Sequence, residues 1–137
     1  MDKAFVLDCS TTISWILEDE KNPKAEALKK KLLTAKAKVP SLWLLEVGNV
    51  LMTAERRKRI SEADIFTALQ FLETLPIEID KLSSTRAFGN VVHLAREYNL
   101  TSYDACYLEL AMHYNIPLAT LDTQLNKAAI KAGVKTL

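Results

Sequence analysis

Short runs of strand character, separated by stretches of helical periodicity, constrain this chain more than any other feature. Residues 4–7 (AFVL) form a continuous apolar run that ends at Asp8. Such a run suits a parallel strand buried on both faces. Residues 37–39 (AKV), just before Pro40, make at most a brief second strand. Residues 77–79 (IEI) make a third, and 117–120 (PLAT) a fourth. Helical patterns fill the intervals. Ile13, Trp15, Ile16 and Leu17 follow the capping residues of "DCSTT". Pro23 suits a helix start, and Ala25, Leu28, Leu32 and Leu33 recur at helical spacing after it. A long helix is expected over 40–59, with Ser41 as its cap and Trp43, Val47, Val50 and Ala54 as its apolar stripe. Ser61 and Asp64 form a capping arrangement for a helix running through Phe71 and Leu72. Further helices are expected over 83–98, over 103–113 with Ser102 as cap, and over 123–132 with Gly133 just past the end. Residues 134–137 are a possible last strand. Strands alternating with helices imply an α/β fold: a short parallel sheet of about four to five strands with helices on both faces.

The 137 residues suit a single domain over 1–137 with one core. Three glycines and four prolines disfavour a linker-rich or all-β chain. The net charge of +1 gives no global attraction to nucleic acid, so any such binding needs a local basic patch. Two cysteines, Cys9 and Cys106, are too few for a disulfide framework and read as small buried hydrophobes. No secretory signal and no apolar stretch of about 20 residues is apparent, so a cytoplasmic, membrane-free setting is expected.

Against this background four of the 17 acidic residues sit where charge is unwelcome. Asp8 ends "FVLD", Glu46 lies inside "LWLLEVGNVL", Asp104 opens "YDACYLELAM" and Asp122 ends "PLATLD". Carboxylates are rarely buried unless paired, hydrogen-bonded or bound to metal. Each has a bland explanation. Asp8 and Asp104 suit helix caps or first-turn acids, Asp122 a turn or cap, and Glu46 a half-exposed face. Asp8 and Asp122, however, both lie at carboxyl ends of expected strands, where open parallel sheets place their sites. An all-oxygen cluster selects a hard cation such as Mg²⁺ or Mn²⁺. No His or Cys pair has zinc-ligand spacing, and His93 and His113 are isolated surface or helix-edge residues. No G-x-S-x-G elbow and no glycine-rich phosphate loop is present.

The segments "VLDCSTTISWILEDE", "PSLWLLEVGNVLMTAERRKRIS" and "YNLTSYDACYLELAMHYNIPLATLD", in this order and spacing, resemble the PIN-domain ribonucleases, and most closely the VapC-type toxins of toxin–antitoxin pairs. The resemblance runs almost end to end. It implies a three-layer α/β/α sandwich and a Mg²⁺- or Mn²⁺-dependent endoribonuclease in which water activated by the metal attacks the RNA phosphorus. Asp8, Glu46, Asp104 and Asp122 fall on the family's catalytic and metal-holding acids, and Ser10 and Thr120 on its supporting hydroxyls. Two departures leave these groups intact: Cys9 stands where Ala is usual, and Lys58 where Gly is frequent. The implied partners are RNA, a small antitoxin and a second copy of the chain. The helices around 25–33 and 41–54 offer apolar surface for such contacts.

Arg56, Arg57, Lys58 and Arg59 end the long helix, where they complement its dipole or contact RNA phosphates. Trp15 and Trp43 suit core packing better than base stacking. Three other classes compete. A haloacid-dehalogenase-type phosphotransferase wants a second Asp two residues after the first, where this chain has Ser10. A receiver-like signalling module wants paired acids near the first strand end and a Lys after the last strand, for which Lys135 is a loose match. A catalytically silent PIN-like module would not need the full acid quartet.

Overall fold

The structure, a computed structural model, describes residues 3–137. Four parallel strands form one sheet: β1 (Lys3–Leu7), β2 (Ala35–Pro40), β3 (Ile77–Asp80) and β4 (Leu118–Ala119). Their spatial order is β3-β2-β1-β4. The helices are α1 (Cys9–Ile16), α2 (Pro23–Lys31), α3 (Leu42–Arg56), α4 (Glu62–Glu73), α5 (Ser84–Arg86), α6 (Val92–Tyr98), α7 (Ser102–Tyr114) and α8 (Thr123–Lys131). A single π turn (Ala87–Val91) joins α5 to α6. Helices cover both faces of the sheet in an α/β/α sandwich. None of them is long and apolar enough to cross a membrane.

The pairing register explains why β1 is the centre. Phe5 pairs with Ala37 on β2, while Val6 and Leu7 pair with Leu118 and Ala119 on β4. With helices covering both faces of the sheet, Phe5, Val6 and Leu7 have lost nearly all contact with solvent. Helix α7 packs on β1, β2 and β4 and is buried continuously from Ala105 to Ala111, which makes it the central helix. Each buried aliphatic side chain contributes about 1.5–3 kcal/mol by its removal from water.

Several expectations need correcting. Strand β2 is six residues long, because Ala35 and Lys36 also pair with Lys3 and Ala4. The fourth strand keeps only Leu118 and Ala119, and 134–137 contributes one parallel bridge, Thr136 to Leu118. Ser41 does not cap α3 through its side chain: its backbone is already helical, and only its carbonyl accepts, from Leu44 N at 3.2 Å. Thr101, not Ser102, caps α7, with its hydroxyl accepting from Asp104 N. The buried stripe of α3 runs through Leu51 rather than Val50. The Ser61–Asp64 capping box forms as expected.

Helix α3 ends in a Schellman motif: Lys58 N donates to Glu55 O and Arg59 N to Ala54 O, both at 2.9 Å. This places Lys58 at φ +59°, a left-handed conformation that Gly favours and a side chain resists. Gly133 fills the equivalent position after α8 at φ +81°. Lys58→Gly is expected to stabilise the fold by about 0.5–1 kcal/mol, which raises the melting temperature by about 2–4 °C. Thermal unfolding followed by circular dichroism checks this; a lower melting temperature would contradict it.

Candidate active site

The chain leaves β1, builds β2 and β3 on one side, and then returns to place β4 on the other. The reversal point lies between the carboxyl ends of β1 and β4, where open parallel sheets form their crevices. Asp8 follows β1 directly, and Thr120, Leu121 and Asp122 follow β4.

Asp8 is 4 % exposed and caps α1. Its Oδ1 accepts from Thr11 N at 3.0 Å and from Ser10 Oγ at 2.8 Å, and its Oδ2 accepts from the Thr120 hydroxyl. Ser10 Oγ in turn accepts from Leu121 N at 3.0 Å, and Thr120 Oγ1 from Asp122 N at 3.0 Å. The two hydroxyls thus tie the ends of β1 and β4 together through one carboxylate. Burial pushes the Asp8 carboxyl above the ordinary range, and the hydrogen bonds from Thr120, Thr11 and Ser10 only partly oppose this.

The other three acids come from three further segments. Asp122 caps α8, with Oδ1 accepting from Gln124 N at 2.8 Å and Leu125 N at 3.1 Å. Asp104 lies in the first turn of α7. Burial raises its pKa first, and the negative charges of Asp122 and Asp8 raise it further. Glu46 projects from α3, and Oε1 accepts from the buried Tyr107 hydroxyl of α7. Burial raises the Glu46 pKa, Tyr107 opposes the rise, and the charges of Asp104 and Asp8 add to it. The same crowding drives the neighbouring Cys9 thiol up to about 12, through burial and the charges of Glu46 and Asp8.

Asp8, Glu46, Asp104 and Asp122 are therefore close enough to repel one another, and none takes part in an ion pair among the described residues. The bland readings of Asp8 and Asp122 hold as well, since both are genuine helix caps. Capping engages only Oδ1 of Asp122 and leaves its other oxygen without a partner among the described residues. The donor set suits a hard divalent cation: all oxygens, negative in sum, with no Lys or Arg to offset them. Among the described residues no three His, Cys, Asp or Glu side chains already converge on one point, so side-chain rotation must accompany chelation.

The remaining candidates sit elsewhere. Arg56 follows Glu46 by ten positions, about 15 Å along the helix axis. Arg59 is held by Asp19 and Glu20, with its closest contacts at 2.8 Å. Arg56, Arg57 and Lys58 are exposed. Trp15 and Trp43 are buried, donating to Ala25 O at 2.6 Å and to Thr12 Oγ1 at 2.9 Å, so neither is available for base stacking. His93 and His113 are exposed, and both cysteines are free thiols.

Two features are not apparent from the sequence pattern. Tyr107 looks there like one more member of an apolar helix. Glu109, in "YLELAM", meets the same criterion that picks out the four acids, and it is 2 % exposed. Its partner is Arg86, 23 positions earlier, through contacts of 2.9 and 2.6 Å. Arg86 also donates to Asp80 Oδ2 at 3.0 Å, and Tyr114 donates to Asp80 Oδ1 at 2.7 Å. The charge of Glu109 is thereby neutralised within the fold.

Comparison with solved structures supports the same architecture. PAE2754 from Pyrobaculum aerophilum superposes with a TM-score of 0.70 at 21% identity, covering 99% of this chain and 92% of that one. VapBC2 from Rickettsia felis, bound to a DNA fragment from its promoter, gives 0.68 at 12% identity and covers 98% and 97%. A toxin–antitoxin complex from Klebsiella pneumoniae gives 0.60 at 19% identity and covers 87% of each chain. Comparison with curated protein sequences finds no significant match. The PIN domain family profile matches residues 5–131, nearly the whole chain, and the chain belongs to the PIN domain family.

Proposed function

We propose that this chain is a divalent-cation-dependent endoribonuclease of the VapC type, acting as the toxin of a toxin–antitoxin pair. One observation carries the reading. Four carboxylates from four segments lie near the β1/β4 reversal of a PIN domain, without ion-pair partners among the described residues; burial raises the pKa values of Asp8, Glu46 and Asp104, and neighbouring negative charge adds to the rise for Glu46 and Asp104. Asp8 and Asp104 are the leading ligands for Mg²⁺ or Mn²⁺, Glu46 is a ligand or a base acting through water, and Asp122 is a ligand or supports one. When bound, the cation supplies Lewis acidity at the phosphodiester and offsets the negative charge. Asp8, locked by Ser10, Thr11 and Thr120, gives that charge a fixed position. Arg56, Arg57 and Lys58 are proposed to hold RNA phosphates away from the cleavage point.

The proposed partners are a small antitoxin and a second copy of the chain. A role beside an antitoxin is supported by the toxin–antitoxin complex among the similar structures. An apolar groove of about 280 Å³, lined by Trp43, Leu44, Val47, Leu69, Leu72 and Ile79, offers such a partner an anchor beside the helix that carries Glu46. The purified chain is expected to cut RNA in Mn²⁺ or Mg²⁺ and to stop in a chelator. Mapping the new 5′ ends, with Asp8→Ala as control, tests this; equal cleavage by the variant would contradict it.

A further inference from the structure

Among the four acids, Glu46 has the longest side chain and is held by fewer donors than Asp8 or Asp122. Asp8 is held by three donors and Asp122 by two backbone N–H groups. Glu46 is half-buried and has one hydrogen-bond partner among the described residues, the hydroxyl of Tyr107. That phenol is the largest of the fully buried side chains, at 2 % exposure. Its ring is fixed by the core around α7, so its hydroxyl is a rigid donor aimed at α3. A buried phenol needs some acceptor. Here the acceptor is one oxygen of a site carboxylate, which removes rotamer freedom from Glu46 and leaves Oε2 unengaged.

We propose that Tyr107 is a positioning residue for Glu46, holding Oε1 so that Oε2 is left free for a divalent cation. This rests on the cation-site reading above. Groups that orient metal ligands in this way typically change affinity by about 10–100-fold when removed. A purely structural phenol would leave cation affinity unchanged on loss of its hydroxyl, because the ring and its packing remain.

Mn²⁺ titration followed by the electron paramagnetic resonance signal of the free ion reads affinity without turnover. Tyr107→Phe is expected to bind Mn²⁺ about 10–100-fold more weakly than wild type. Its cation-free melting temperature should stay within a few degrees of wild type. If Tyr107 acts through Glu46, adding Tyr107→Phe to Glu46→Gln should cause no further loss. Wild-type affinity in Tyr107→Phe would overturn the proposal and leave the cation site standing. An undiminished further loss in the Glu46→Gln background would do the same. No Mn²⁺ binding by the wild-type chain would overturn both.

Discussion

Asp8→Asn is expected to lower cation-dependent RNA cleavage by about 10³-fold or more while the fold is retained. The substitution keeps an oxygen for Thr11 N and the approximate shape of the side chain, but removes the charge that the proposed cation needs. Stability should move the other way. Burial raises the Asp8 pKa, so the ionised form is disfavoured in the folded state. The protein therefore loses stability as pH rises from the ordinary carboxylate value, near 4, through the raised folded value. The substituted amide is neutral throughout and removes this contribution. Without cation, the Asp8→Asn protein is expected to melt at or above the wild-type temperature near neutral pH. Initial cleavage rates and melting curves on the same preparations check both halves. Full activity would remove Asp8 from the site, and a large drop in stability would show its charge to be structural.

Arg86→Met is expected to be the most destabilising single change outside the hydrophobic core. It strands Glu109, which is 2 % exposed, and removes the guanidinium that also serves Asp80. Breaking a buried ion pair from one side costs about 3–5 kcal/mol, which lowers the melting temperature of a domain this size by about 10 °C or more. Arg86→Met combined with Glu109→Leu should recover most of the loss, because an apolar pair replaces an ionic one. Denaturant midpoints for the single and double variants measure this. A single variant as stable as wild type would show that the ion pair contributes nothing.

The architecture is legible in the sequence because strand runs and helical periods alternate so cleanly. That alternation places Asp8 and Asp122 at strand ends. The order β3-β2-β1-β4 adds the reason they lie together: β1 and β4 are parallel neighbours, and the order of winding reverses between them. Where the pattern misleads, the deciding contacts are remote in sequence. Strand β2 looks weak because Lys36 and Lys38 interrupt it, yet both reach outward to Glu78 on β3. The fourth strand looks longer than it is because Thr120 leaves the sheet to bond Asp8. Glu109 does not stand out because its partner lies on another element. Glu46, the weakest of the four acids on local pattern, is tied to the site by Tyr107, a contact between α3 and α7 that helix periodicity does not reveal.

A Mn²⁺ titration followed by thermal unfolding, at near-neutral and at mildly acidic pH, tests most directly whether the four acids act as one cation-holding mouth. At about 100 times the dissociation constant, the ion should stabilise the wild-type protein by about 2.7 kcal/mol. The gain should shrink at acidic pH, where Asp8, Glu46 and Asp104 take up protons. It should largely disappear in Asp8→Asn and in Asp104→Asn. No stabilisation at either pH, or an undiminished gain in both variants, would contradict the site.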